Sequence, residues 1–167
     1  MGGYKCGTCG KEHEELPRVF ATRAPEYWYE VPEKDRDRRT FLSPDQCIVD
    51  DAHFFVRGVI EIPVLLEKEP FTWGVWCSLS KASFCRMEDL WTTTGREKEP
   101  PCFGWLSTRI PAYPDTVNLK THVHTREVGT SPRIEVEPTD HPLAMDQRNG
   151  ISAKRMHEIV EECLRGQ

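Results

Sequence analysis

The clearest pattern in the chain is alternation of apolar and polar positions, and it is strongest in two stretches. From Gln46 to Ile62 the pattern takes a period of two, with Phe54, Val56, Gly58, Ile60 and Ile62 on one side and Phe55, Arg57, Val59 and Glu61 on the other. That period of two predicts a strand with one buried face. Pro63 to Pro70 reads as a loop, and the alternation resumes at Phe71, Trp73, Val75, Cys77 and Leu79. The two strands are expected to pair antiparallel and anchor the core. The period then changes. Ser80 is a good helix N-cap, and Phe84, Met87 and Trp91 fall on one side of a helix running to about Trp91. Further strands are predicted over 102–108, 118–126 and 133–137, with a proline-bearing loop over 109–115.

The C-terminal part turns helical. A short helix ending at Asn149-Gly150 precedes a longer one capped by Ser152, with Ile151 and Met156 placed as a hydrophobic staple. Met156, Ile159, Val160 and Cys163 form its apolar stripe, and Gly166 can end it. Upstream, Tyr27-Trp28-Tyr29 makes an aromatic cluster between Pro25 and Pro32. The mixed-charge run Glu33–Arg39 reads as a short solvated helix rather than a basic contact surface. Strands in a run, with helices beside and after them, give an α+β fold: an antiparallel sheet with packed helices. One domain is expected over residues 1–167, with a knuckle over 1–17, mainly strands and one helix over 46–137, and a helical part over 138–167.

Composition narrows the class. With 38% apolar and 29% charged residues and five tryptophans, the chain is globular rather than disordered. A net charge of −5 argues against broad nucleic-acid binding and suits a basic protein partner better. No apolar run reaches membrane-spanning length, and no signal-like segment opens the sequence, so the cytoplasm is the expected compartment. Seven cysteines, an odd number, argue against a complete disulfide framework. Cys77, Cys85, Cys102 and Cys163 sit among apolar neighbours, as small core residues do.

The main chemical signal is Cys6-Gly7-Thr8-Cys9-Gly10. This spacing allows two thiolates to face one tetrahedral metal while the small residues let the chain turn, so it predicts half of a structural zinc site in an N-terminal strap. A redox pair is the weaker alternative, because only five residues precede Cys6 and no helix start follows. His122 and His124 lie two apart on a predicted strand, on one face, and are the candidate ligands to complete the site. His13, Cys47 and His53 are further candidates, and His141 has a weaker claim. Against His122 and His124 stands a simpler reading. With Lys120 and Arg126 they could form one side of a cross-strand charge ladder facing Glu135 and Glu137.

Catalytic signals are poor. Asp50-Asp51 with His53 reads more readily as a turn than as an acid–base cluster, and Cys102 lacks a nearby histidine in sequence. Elbow, phosphate-loop and dinucleotide motifs do not occur.

Several stretches together resemble a bacterial family of unknown function: Lys5-Cys6-Gly7-Thr8-Cys9-Gly10-Lys11-Glu12-His13, Asp45-Gln46-Cys47-Ile48-Val49-Asp50, Phe71-Thr72-Trp73-Gly74-Val75-Trp76, Phe103-Gly104-Trp105-Leu106, Leu119-Lys120-Thr121-His122-Val123-His124-Thr125 and Glu137-Pro138-Thr139-Asp140-His141-Pro142-Leu143. The resemblance spans nearly the whole chain. It implies a bacterial, cytoplasmic, single-domain protein and carries over no activity and no site residue. Cys77 and Cys102 depart from its pattern, which weakens them as ligands. The sequence therefore points first to a zinc-stabilised protein-binding module. A small metalloenzyme with an open position at Cys6, Cys9 and one histidine is the second reading. An acidic immunity-type inhibitor of a basic toxin is the third.

Overall fold

The structure is a computed structural model and describes residues 4–5, 10, 12–13 and 15–166. Two short strands, β1 (Tyr4–Lys5) and β2 (Glu12–His13), pair antiparallel. The main body follows as β3 (Val19–Ala21), α1 (Glu26–Glu30), a single 3-10 turn, α2 (Arg36–Arg39), β4 (Thr40–Leu42), β5 (Gln46–Val49), β6 (His53–Ile62), β7 (Phe71–Leu79), α3 (Lys81–Asp89), β8 (Cys102–Leu106), β9 (Lys120–His124), β10 (Arg133–Val136), α4 (Pro142–Asn149) and α5 (Ala153–Arg165).

The fold is α+β, but the expected open antiparallel sheet is corrected: β6 to β10 close into a five-strand barrel. The reason is geometric. Successive strands of a meander alternate in direction, so the first and fifth run the same way, and closing the ring requires a parallel seam. That seam joins β10 to β6, with Arg133 opposite Val59 and the Val59 N–H donating to the Pro132 carbonyl at 2.9 Å. Gly58 makes the close approach feasible. A Cβ there would stand 2.7 Å from Ile134 Cδ1 and 2.8 Å from the Pro132 oxygen. A second parallel pair, β3 with β7, and the antiparallel strands β5 and β4 extend the sheet on its two edges.

Alternation along the ladder between β6 and β7, unbroken from Phe54↔Leu79 to Ile62↔Phe71, sends Val56, Ile60, Ile62, Phe71, Trp73, Val75, Cys77 and Leu79 into one apolar core. Leu106, Val123, Ile134 and Val136 join it from the other barrel strands. Phe84 and Met87 of α3 and Leu143 and Ala144 of α4 pack on it, as does the stripe of α5, Met156, Ile159, Val160 and Cys163. The predicted caps are present: Ser80 Oγ accepts from the Ser83 N–H and Ser152 Oγ from the Arg155 N–H, both at 3.1 Å. Where β10 leaves β6, Gln147 of α4 takes over its hydrogen bonding. Its Oε1 accepts from the Val136 N–H and its Nε2 donates to the Ile134 carbonyl, each at 2.8 Å.

Two local expectations are also corrected. The single strand over 46–62 is a hairpin, broken where Asp50 and Asp51 take the left-handed conformation at φ 53° and 50°; aspartate tolerates that region because its short polar chain bonds locally. The outer face of β6 is also buried at Phe55. Phe55 and Trp76 are fully enclosed with Cys47, Val49, Ala24, Val31 and Trp28, because α1 lies across them. The run Glu33–Arg39 is helical, as expected, and the aromatic cluster before it forms α1. Among the described residues no helix is long and apolar enough to cross a membrane.

Candidate binding site

The main concavity with aromatic walls opens where β6 begins, β7 ends and β8 gives way to loop. It encloses about 460 Å³ and is lined by Tyr27, His53, Phe54, Phe55 and Trp105, with Ser78, Ser107 and Asn118 supplying polar edges. The walls are set by packing. Tyr27 meets the His53 ring edge-on at 4.9 Å and the Phe55 ring at 5.4 Å, which ties α1 to the start of β6. Asn118 holds φ at 68°, and its N–H donates to the Leu106 carbonyl at 2.7 Å. Asparagine tolerates that region because its short polar chain bonds locally.

The aromatic surface continues outside the cleft. In β8 the small and aliphatic residues Cys102, Gly104 and Leu106 face the barrel, so Phe103 and Trp105 point outward, 43% and 42% exposed. Their rings meet edge-to-face at 5.1 Å, and Phe103 meets His122 of β9 at 6.1 Å. Large apolar rings half-open to water beside a cleft are the usual mark of a recognition surface.

The residues singled out from the sequence are placed as follows. His122 and His124 share the outer face of β9, and each meets its own carboxylate: His122 Nε2 lies 3.2 Å from Glu137 Oε1, and His124 Nε2 lies 3.5 Å from Glu135 Oε1. Arg126 with Glu61 and Arg133 with Glu135 continue the row. The cross-strand charge ladder is therefore the arrangement found. Residues two apart on a strand stand roughly 6.6 Å apart, which accounts for the separate pairs. Among the described residues no three His, Cys, Asp or Glu side chains are gathered to hold a metal ion. Cys6 and Cys9, with the side chain of His13, lie outside the described residues.

The other candidates are dispersed. Cys47 is fully buried beside Phe55 and Trp76, and burial pushes its thiol up to about 12, far from the thiolate a metal requires. Burial likewise raises Cys77 to about 12 and Cys163 to about 11, so these behave as the small core residues expected. Cys102 packs against the barrel core, on the opposite face of the sheet from His122. Asp50 is gripped by Arg39 through two bonds of 2.7 Å, and that pairing holds its carboxyl below the usual range, a poor setting for a general base. His53 does reach the candidate site, but as a cleft wall. His141 caps α4, its Nδ1 accepting from the Leu143 N–H at 3.1 Å. Sequence reasoning passed over Tyr27, Phe103 and Trp105. The available signal was a strand apolar on both faces, 102–106, beside an unassigned aromatic cluster.

Neither a curated protein nor a solved structure matches this sequence. A family model does, over residues 5–151, which takes in every strand of the barrel and the cleft. The chain belongs to that family, described as uncharacterized protein conserved in bacteria (DUF2199).

Proposed function

We propose that this chain is a protein-binding module that receives an apolar or aromatic segment of a partner in the cleft beside Trp105. The observation that carries the reading is the run of outward aromatic rings: Tyr27 and His53 on one wall of the cleft, Trp105 on the other, and the open ring of Phe103 packed on Trp105. The volume falls in the range of small recognition pockets, roughly 300–1,000 Å³, and the lining combines rings with a few polar edges. Such rings lose little conformational entropy on binding and carry a large share of interface energy.

Zinc at Cys6 and Cys9 belongs to the same proposal, as a clamp on the N-terminal hairpin. Its support is the CxxCG spacing between β1 and β2, together with the left-handed turn at Gly10, φ 69°.

A phage-displayed peptide library tests the function. Selected peptides are expected to carry one or more aromatic anchors and to bind at least tenfold more weakly to Phe103→Ala and Trp105→Ala. Both positions are exposed, so both variants should keep the parent melting temperature. Selected peptides that bind these variants as tightly as the parent chain would exclude the cleft as the recognition site.

A further inference from the structure

We propose that a second cavity, sharing no residue with the aromatic cleft, is an oxyanion site in which Arg23 and Arg57 bind a phosphate or carboxylate group. The cavity encloses about 500 Å³ between the ends of the edge strands, with Thr22 and Arg23 on one wall, Ser43 and Pro44 on the other, and Arg57 between them.

The inference rests on a census of arginines. Arg18, Arg38, Arg39, Arg86, Arg109, Arg126, Arg133 and Arg155 each meet a carboxylate. Arg36, Arg96, Arg148 and Arg165 donate to backbone carbonyls. Among the described residues, only the guanidinium groups of Arg23 and Arg57 have no hydrogen-bond acceptor and no carboxylate within 4 Å, and both line this one cavity. The twelve other arginines all have such a partner, so the two that lack one lining the same cavity is the observation to be explained.

Both groups are positioned. Arg57 is half-buried on the outer face of β6, beyond the point where β5 stops pairing at Gln46↔Val56. Gly74 of β7, opposite Val59, leaves room for the side chain: a Cβ there would stand 3.3 Å from Arg57 Nη2. Asp45 accepts the Arg57 backbone N–H at 2.9 Å with its carbonyl, and its carboxylate does not reach the guanidinium. Arg23 is held over the Trp28 ring, 5.3 Å from its centroid, on the face of a residue that Arg36 also stacks against at 4.0 Å. The facing wall is fixed by Ser43, whose Oγ accepts from the Gln46 N–H at 3.0 Å. Thr22 Oγ1, in the first wall, is buried without a partner among the described residues. A half-buried guanidinium without an acceptor carries an unrecovered desolvation cost, and a two-oxygen anion offers the fork geometry that recovers it.

The test follows the arginine Nε–Hε signals by NMR during titration with inorganic phosphate and, separately, with acetate, at ionic strength held constant with chloride. Saturable shifts confined to Arg23 and Arg57, weakened at least tenfold by Arg57→Gln and by Arg23→Gln, are expected. Saturation by phosphate alone assigns a phosphate-bearing ligand, and equal saturation by acetate assigns carboxylates; either upholds the site. Arg23 is exposed, so Arg23→Gln keeps its fold and serves if Arg57→Gln does not. Small, unsaturable shifts spread over all arginines, no shift with either anion, or unchanged binding in a folded variant would overturn it.

Discussion

Closure of the barrel rests on a contact that one methyl group should break. In Gly58→Ala the new Cβ would sit 2.7 and 2.8 Å from two carbons of Ile134 and 2.8 Å from the Pro132 carbonyl oxygen. The Ile134 side chain can turn, but it is fully buried among barrel residues, so turning it displaces others. The carbonyl belongs to the seam and accepts the Val59 N–H, so moving it weakens the bond that joins β10 to β6. Overpacking of this kind costs about 1–3 kcal/mol, and a weakened backbone hydrogen bond adds about 1. The expected loss is therefore about 2–4 kcal/mol, which for a chain of this length lowers Tm by about 5–15 °C. Thermal and urea unfolding followed by circular dichroism read the loss, and hydrogen exchange should show the Val59 amide losing protection first. Gly129→Ala is the control: at φ 87° with open space around it, it carries only the left-handed penalty of about 1 kcal/mol. If Gly58→Ala unfolds within about 0.5 kcal/mol of the parent chain, the seam does not depend on close approach, and the account of closure fails.

Two other outcomes follow from the thiols. Burial raises Cys47, Cys77 and Cys163 above the ordinary thiol value, so the unfolded chain releases these protons first as pH rises. Their contribution to stability is complete below the unfolded thiol pKa, about 8.5, and is lost progressively toward about 11–12; urea midpoints measured from pH 7 to 10.5 should fall above pH 8.5, and flat midpoints would contradict the burial. Purified protein should carry about one equivalent of zinc by elemental analysis, lost in Cys6→Ser and Cys9→Ser with little change in Tm, because the barrel has its own core. A metal-free preparation, or zinc retained in both variants, would remove the clamp from the proposal.

How much of this was readable beforehand depends on length. β6 and β7 are long enough for the period of two to be unmistakable, and α3 and α5 announce themselves by cap and stripe. β3 and β4 hold three residues each, too few to show any period, and α1 hides behind Pro25 with one buried residue, Trp28. Barrel closure was out of reach for a different reason. Alternation at Ile134 and Val136 says which side is buried, but not that the buried sides of β6 and β10 are one surface; that depends on Gly58, whose missing side chain is silent in a hydrophobicity pattern. The aromatic site was hidden by an inversion. In β8 the larger apolar residues, Phe103 and Trp105, face out, while Cys102, Gly104 and Leu106 face in, so size pointed to the wrong face.

The proposed binding role draws on what the internal pairings of the chain leave over. The buried thiols are held protonated, His122 is hydrogen-bonded to Glu137, and Asp50 is locked to Arg39. Each such pairing uses up capacity inside the chain. Among the described residues, two features beside the cavities carry no such internal pairing: the open aromatic surface at Phe103 and Trp105, and the guanidinium groups of Arg23 and Arg57. Water satisfies rings poorly and the half-buried Arg57 guanidinium incompletely, so the proposed partner would gain most free energy at Phe103, Trp105 and Arg57. A partner supplying a ring to one site and an oxyanion to the other would use both, and the double variant Trp105→Ala with Arg57→Gln would then lose more binding than either single change. A partner confined to the cleft would leave the second substitution without effect.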